Sequence, residues 1–246
     1  MYNYRNSKQK IIEILTSKTP IEKKEKIPAD AEFTFENGIL CWVGAIFIDI
    51  ENSSKLFKTK DEKLARLMRA FTSEVITIMQ DKSEYSQIGI RGDCVYAIYS
   101  AQYQSNLVEI FRIAYRLNTF IKMFNKIIIN YGYEEINAGI GLGCDEDLII
   151  KAGRSGTGIN DKIWIGKAVV DASNFSSIAG RNYISNIAMS TCFYDNIIDV
   201  LKKENSDYVN WIKSKKNYYG SIEYYHCDII QSDFNRWIDG GMKNEY

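Results

Sequence analysis

The stretch VGAIFIDIENSS, Val43–Ser54, decides how the rest of the chain is read. From Val43 to Ile50 it is an apolar run interrupted by one acid, Asp49. Such a run predicts a buried strand, ended by the short polar segment Glu51–Ser54. A second stretch, IGIRGDCVYAIY (Ile88–Tyr99), sets Arg-Gly-Asp between two β-rich segments and predicts a hairpin with Asp93 at its turn. A carboxylate inside a buried strand is costly unless something positive compensates it. Taken singly, Asp49 reads as the cap of the following turn and Asp93 as a tight bend. Taken together on neighbouring strands, the two acids make a hard, oxygen-lined site suited to Mn²⁺ or Mg²⁺.

Outward from this pair the chain alternates helical and strand patterns. Residues 4–18 carry Ile11, Ile12, Ile14 and Leu15 at helical spacing, a short helix that packs on the domain or on a second subunit. The mixed run Glu22–Lys26 reads as a solvated linker, and Pro20 and Pro28, the only prolines, flank it. Phe33–Phe35 and the Asn37-Gly38 turn signal predict a lead-in hairpin before the central strand. Asp61–Gln80 and Ser105–Ile128 are strongly amphipathic helices, and Ile136–Gly143 returns as a Gly-rich strand. Leu148–Lys151 and Lys162–Ile165 read as two strands joined by the polar loop Gly153–Asn160, which lacks the ending of a P-loop. Lys167–Ile178 reads as a helix, Ile187–Ser190 as a strand, Phe193–Lys203 and Tyr208–Lys213 as helices, and Tyr218–Ile230 as a long aromatic strand. Helices would cover one sheet face and leave the other free for a partner or substrate.

Composition narrows the function classes. The 246 residues are 46% hydrophobic and 25% charged, which suits a soluble globular protein with a sizeable core. The formal net charge is zero, so no global field attracts nucleic acid or an anionic membrane. Five dispersed cysteines with no CxxC pair read as free thiols in a reducing cytoplasm, and no apolar stretch approaches bilayer length. The single histidine, His226, has no partner motif for a zinc site or a catalytic triad and reads as structural.

Four segments, in order, resemble the signatures of class III nucleotide cyclases. FIDIENSSKL is similar to their first metal-binding motif, GDCVYAIY to their Gly-Asp hairpin, and NAGIGLG (Asn137–Gly143) to a Gly-rich strand. IWIGKAVVDASNFSSIAG (Ile163–Gly180) is similar to their strand-and-helix segment. The resemblance implies an α+β fold, a ferredoxin-like palm with a βααβαβ core. It would have an N-terminal helical arm in residues 1–30, a catalytic domain in 31–185 and a C-terminal α/β extension in 186–246.

The same resemblance implies a set of roles. Asp49 and Asp93 would bridge two metal ions per site, Mn²⁺ or Mg²⁺, and the carbonyl of Ile50 would complete one shell. The backbone N–H groups of Glu51, Asn52, Ser53 and Ser54 would hold phosphates at a helix start. The positions that select a purine match Gly89 and Ile163, neither of which can read a base edge. The transition-state Asn matches Val170 and the Arg matches Asn174, leaving Lys167 and Asn174 as the polar groups there, or as a solvated helix face. Arg91 either reaches base or phosphate along its strand face or is a surface arginine at the turn. Phe47 could narrow a base pocket, and Trp164 either stacks on a base or fills core. This combination resembles the pyrimidine cyclases of bacterial Pycsar anti-phage systems. It implies conversion of UTP or CTP to the cyclic monophosphate by a homodimer with sites between subunits, without nucleic acid or membrane. A purine cyclase with a relocated base reader and a degenerate nucleotide-binding cyclase domain are the alternatives.

Overall fold

Residues 2–58, 60–81, 84–154 and 156–243 are described by the computed structural model. In chain order the elements are α1 (Tyr4–Thr16), β1 (Ile21–Lys23), β2 (Gly38–Ile50), α2 (Ser53–Leu56), α3 (Glu62–Gln80), β3 (Tyr85–Arg91) and β4 (Cys94–Ser100). These are followed by α4 (Gln104–Asn130), β5 (Ala138–Gly153), β6 (Asn160–Ile165), α5 (Lys167–Ile178), β7 (Ile187–Met189) and α6 (Thr191–Glu204). The chain closes with α7 (Tyr208–Trp211), β8 (Lys213–Lys216), β9 (Ile222–Cys227) and α8 (Ser232–Asp239). All strands join one sheet in the order β3-β4-β2-β5-β7-β9-β8, with β1 beside β2 and β6 beside β5. Strand β2 runs antiparallel to both β4 and β5 at the centre.

Side chains alternate across β2, so its two faces carry different chemistry. Ile46, Ile48 and Ile50 point into the main core, together with Ile140 and Leu142 of β5 and the rings of Phe71, Phe111, Phe120 and Phe193 from α3, α4 and α6. Ala45 and Phe47 point the other way, toward Ala172 of α5. Asp49 follows them on that second face.

The Gly-rich strand explains how α5 reaches this face. A Cβ at Gly141 would lie 1.9 Å from the carbonyl oxygen of Ala172, and one at Gly143 would lie 2.2 Å from that of Ala168. Without side chains there, the helix backbone lies directly on β5. The second face is therefore not left free, as its sequence suggested. Helix α5 covers it across β5 and beside Phe47, and Trp164 of β6 reaches over its β3–β4 end.

Other expectations need correction. The lead-in hairpin is absent, because Ile21–Lys23 of the expected linker pairs in parallel with Gly38–Leu40 of β2. Parallel neighbours need a crossover, supplied here by residues 24–37. Within it the Asn37 side chain accepts from the Thr34 amide and donates to the Glu32 carbonyl, so the Asn-Gly signal folds its own loop. Leu148–Lys151 is not a separate strand but the continuation of β5. The aromatic strand near the C-terminus is limited to β9, and α8 follows where no helix was expected. Helix α1 buries no residue, so it does not pack on the domain. Among the described residues no helix is long and apolar enough to cross a membrane.

Candidate active site

Asp49 and Asp93 converge at one end of the central strands. Asp49 is the penultimate residue of β2, and Asp93 follows Gly92, whose φ of +65° makes the tight β3–β4 turn. Burial pushes the Asp49 carboxyl above its ordinary range, the nearby charge of Asp93 adds to that, and Arg181 opposes it. The Cys94 thiol is pushed up to about 12 by burial and by both acids. Asp93 Oδ2 is buried with no hydrogen-bond partner among the described residues. Arg181 Nη2 lies 3.2 Å from Asp49 Oδ2 and 3.5 Å from the Ile50 carbonyl oxygen. Among the described residues Arg181 is the one cation in salt-bridge contact with either acid. An orphaned carboxylate oxygen, a second carboxylate and a strand-end carbonyl form an all-oxygen donor set that fits Mg²⁺ or Mn²⁺.

The loop after Asp49 is held by a second strand. The Glu51 amide donates to the Asn137 carbonyl at 2.8 Å, and Asn137 Nδ2 donates to Glu51 Oε2 at 2.8 Å. The Glu51 N–H is therefore not available to a phosphate, and the expected cradle shrinks to Asn52, Ser53 and Ser54. Asn52 takes a left-handed φ of +55° to start the four-residue α2. Asparagine tolerates that conformation better than most residues.

Helix α5 is anchored by acids of β5. The Lys167 amide donates to Asp145 Oδ2 at 2.9 Å and the Ala168 amide to Asp147 Oδ1 at 3.4 Å. A Cβ at Gly166 would fall 1.8 Å from Asp147 Oδ1, so the glycine makes room for this cap. Protein carboxylates thus hold the N-terminus of this helix and occupy its first amides. Lys167 is exposed there, and its charge offsets that of Asp171. Asn174 and Val170 lie on the exposed side of the same helix. The structure does not bring Lys167 to Asp49 within one chain, since Arg181, which reaches Asp49, follows the other end of the helix. At 1.5 Å per residue the two helix ends are about 17 Å apart.

At the β3–β4 end of the face, Phe47 and Tyr96 stack with ring centroids 5.0 Å apart. A Cβ at Gly89 would lie 2.4 Å from the Tyr96 ring, so the tyrosine occupies the space a side chain at 89 would need. Gln87 Nε2 donates to the Tyr96 hydroxyl at 3.3 Å, and Trp164 Nε1 donates to Gln87 Oε1 at 3.1 Å. Trp164 therefore shares this face with Gly89. Ile163, its strand neighbour, points to the opposite side and is exposed. Arg91 is exposed at the end of β3, on the Gly89 side by register.

Comparison with known proteins decides the family. No protein-family model matches the chain. A uridylate cyclase of Treponema porcinum is 40% identical over 243 residues, 98% of this chain and 82% of that protein. A uridylate cyclase of Gulbenkiania mobilis is 31% identical, covering 97% of this chain and 96% of the relative. The chain belongs to the uridylate cyclase family. Its fold is that of class III cyclases: the crystal structure of the adenylyl cyclase CyaB from P. aeruginosa superposes with a TM-score of 0.60 at 16% identity, over 77% of this chain and 95% of that one.

In this uridylate cyclase family member, the residues that sequence reasoning missed are Arg181, Gln87, Tyr96 and the Asp145–Asp147 cap. Gln87 and Tyr96 had one usable signal: strand periodicity puts Gln87 on the Gly89 face, and Tyr96 stands opposite Gly89 in the hairpin.

Asp147 gives a test of the anchor. It is fully buried, its Oδ2 has no hydrogen-bond partner among the described residues, and burial pushes its carboxyl up to about 6. A raised folded-state value means its contribution favours the fold below the ordinary carboxylate range and is lost as pH rises through about 6. Asp147→Asn removes that loss. The variant should be more stable than the parent at pH 8, by on the order of 2 kcal/mol, and no more stable at pH 4. Thermal unfolding across this pH range checks it; equal melting temperatures for the two proteins at pH 8 would contradict it.

Proposed function

We propose that the chain converts UTP to 3′,5′-cyclic UMP and diphosphate. The observation that carries this is the convergence of Asp49 and the orphaned Asp93 Oδ2 on a class III cyclase fold. The two uridylate cyclases that match nearly the whole chain support the choice of substrate. In the reaction the ribose 3′ oxygen bonds to the α-phosphorus, the bond from that phosphorus to the β-phosphate oxygen breaks, and the hydroxyl proton leaves. Asp49, Asp93 and the Ile50 carbonyl would hold the divalent ions, Mn²⁺ or Mg²⁺, two per site. Such ions supply a lowered proton affinity for the attacking hydroxyl and positive charge for the transferring phosphates. Among the described residues no group of three or more His, Cys, Asp or Glu side chains could hold a metal, and phosphate and water would supply the remaining ligands.

Asn52, Ser53 and Ser54 are assigned to the phosphates, and Phe47 and Arg91 to the base. The stacked Tyr96 and the Gln87–Trp164 pair extend this surface. A homodimer would supply Lys167 and Asn174 from a second copy: within one chain Lys167, at the start of α5, is remote from Asp49, and Asn174 lies on the exposed side of the helix. Exposed Ile163, Ile165 and Val170 offer an apolar surface for that contact. The five free cysteines fit the reducing cytoplasm. The resemblance to Pycsar cyclases supports a second-messenger role in anti-phage defence.

Purified protein given UTP and Mn²⁺ should yield cyclic UMP and diphosphate in equal amounts, and chelation of the metal should stop both. Formation of UDP or UMP instead, resolved by mass spectrometry, would contradict cyclisation.

A further inference from the structure

Arg181 was assigned no role from the sequence, yet its guanidinium bonds both oxygens expected to receive a metal, Asp49 Oδ2 and the Ile50 carbonyl. Its other nitrogen, Nη1, donates to the Ser176 carbonyl at 2.9 Å and the Ala179 carbonyl at 3.3 Å, at the C-terminal end of α5. The segment that presents it is strained. Gly180 has φ +75°, Asn182 +50° and Tyr183 +66°, so three of four consecutive residues are left-handed, two of them with side chains. Such conformations persist only where the surroundings impose them, and they concentrate at functional sites. Here the Gly180 amide donates to the Ser185 carbonyl and the Ile184 amide to the Arg181 carbonyl, closing the loop around the arginine.

We propose that Arg181 is the resident cation of the metal site, yielding Asp49 and the Ile50 carbonyl to an entering divalent ion and then facing the triphosphate. This inference rests on the metal reading of Asp49 and Asp93. The Nη1 bonds to α5 act as the pivot, so only the Nη2 edge leaves the site. A guanidinium and a divalent ion compete for the same two oxygens, and the displaced charge stays beside the incoming phosphates. It supplies, from the same chain as the metal acids, a positive group that position 174 lacks.

The test compares Mn²⁺ binding without nucleotide, followed by electron paramagnetic resonance, in the parent, Arg181→Ala, Arg181→Lys and Asp49→Asn proteins. Arg181→Ala should bind Mn²⁺ roughly tenfold more tightly, because the competitor is gone, yet turn over more slowly at saturating metal. Arg181→Lys should recover part of the turnover. In the parent protein, which needs no substitution to fold, Mn²⁺ should increase phenylglyoxal labelling of Arg181, and a non-cyclisable UTP analogue added with Mn²⁺ should suppress it. Mn²⁺ binding that is lost in Asp49→Asn but unchanged in Arg181→Ala, with constant labelling, would overturn the role of Arg181 and leave the metal site standing. Absence of Mn²⁺ binding to the parent protein would overturn both.

Discussion

Alanine at Asp49 or at Asp93 should lower cyclic UMP formation by about a thousandfold or more at saturating Mn²⁺, while the protein stays folded. Each acid supplies a carboxylate to a donor set with few others, so its loss removes charge stabilisation that no neighbour replaces. That corresponds to roughly 4 kcal/mol of barrier. The fold should survive because neither carboxylate contributes to the core. Burial and the facing Asp93 already disfavour the ionised form of Asp49, so removing that charge relieves repulsion. Circular dichroism melts beside turnover measurements separate the two effects. Turnover within tenfold of the parent in either variant would remove the two acids from the chemistry.

Gly141→Ala should have the largest effect on stability. Its Cβ would meet the Ala172 carbonyl oxygen at 1.9 Å and the Ser176 amide nitrogen at 2.3 Å, both backbone atoms that cannot rotate away. Helix α5 would have to lift from β5, pulling against the Asp145 and Asp147 cap at one end and Arg181 at the other. A loss of about 3 kcal/mol or more is expected. Gly44→Ala is the internal comparison, since its close neighbours are the side-chain ends of Ile110 and Leu107, which can shift. Denaturant unfolding should rank Gly141→Ala well below Gly44→Ala. Equal losses would mean that α5 is not held on the strand by the missing side chains.

The central parts of this fold were readable because local pattern and tertiary role agree. The apolar run ending at Ile50 is buried on both faces and forms β2, and the Gly-Asp pair makes the hairpin turn next to it. Helix α5 spans the residues its periodicity indicated, Lys167–Ile178. The failures have a common cause: they depend on what lies across space. β1 is three residues long and entirely exposed, so no alternation marks it, and only its parallel partner makes it a strand. A contact between Arg181 and Asp49, 132 positions apart in the chain, leaves no periodic trace. The glycines of β5 announced a strand but not the helix pressed on them. At β6 the sequence left Trp164 as base stacker or core filler, and only its hydrogen bond to Gln87 across space fixes which face it takes.

The claim that this site cyclises UTP is tested most directly by competition. One reaction with equal concentrations of UTP, CTP, ATP and GTP, purified protein and Mn²⁺ is stopped early, and the cyclic products are quantified by mass spectrometry. A site whose polar groups pair with one base edge rejects others because those groups are then left unpaired. Cyclic UMP should exceed each of the other three products by roughly tenfold or more. Cyclic AMP or cyclic GMP as the main product, with cyclic UMP at trace level, would contradict the account.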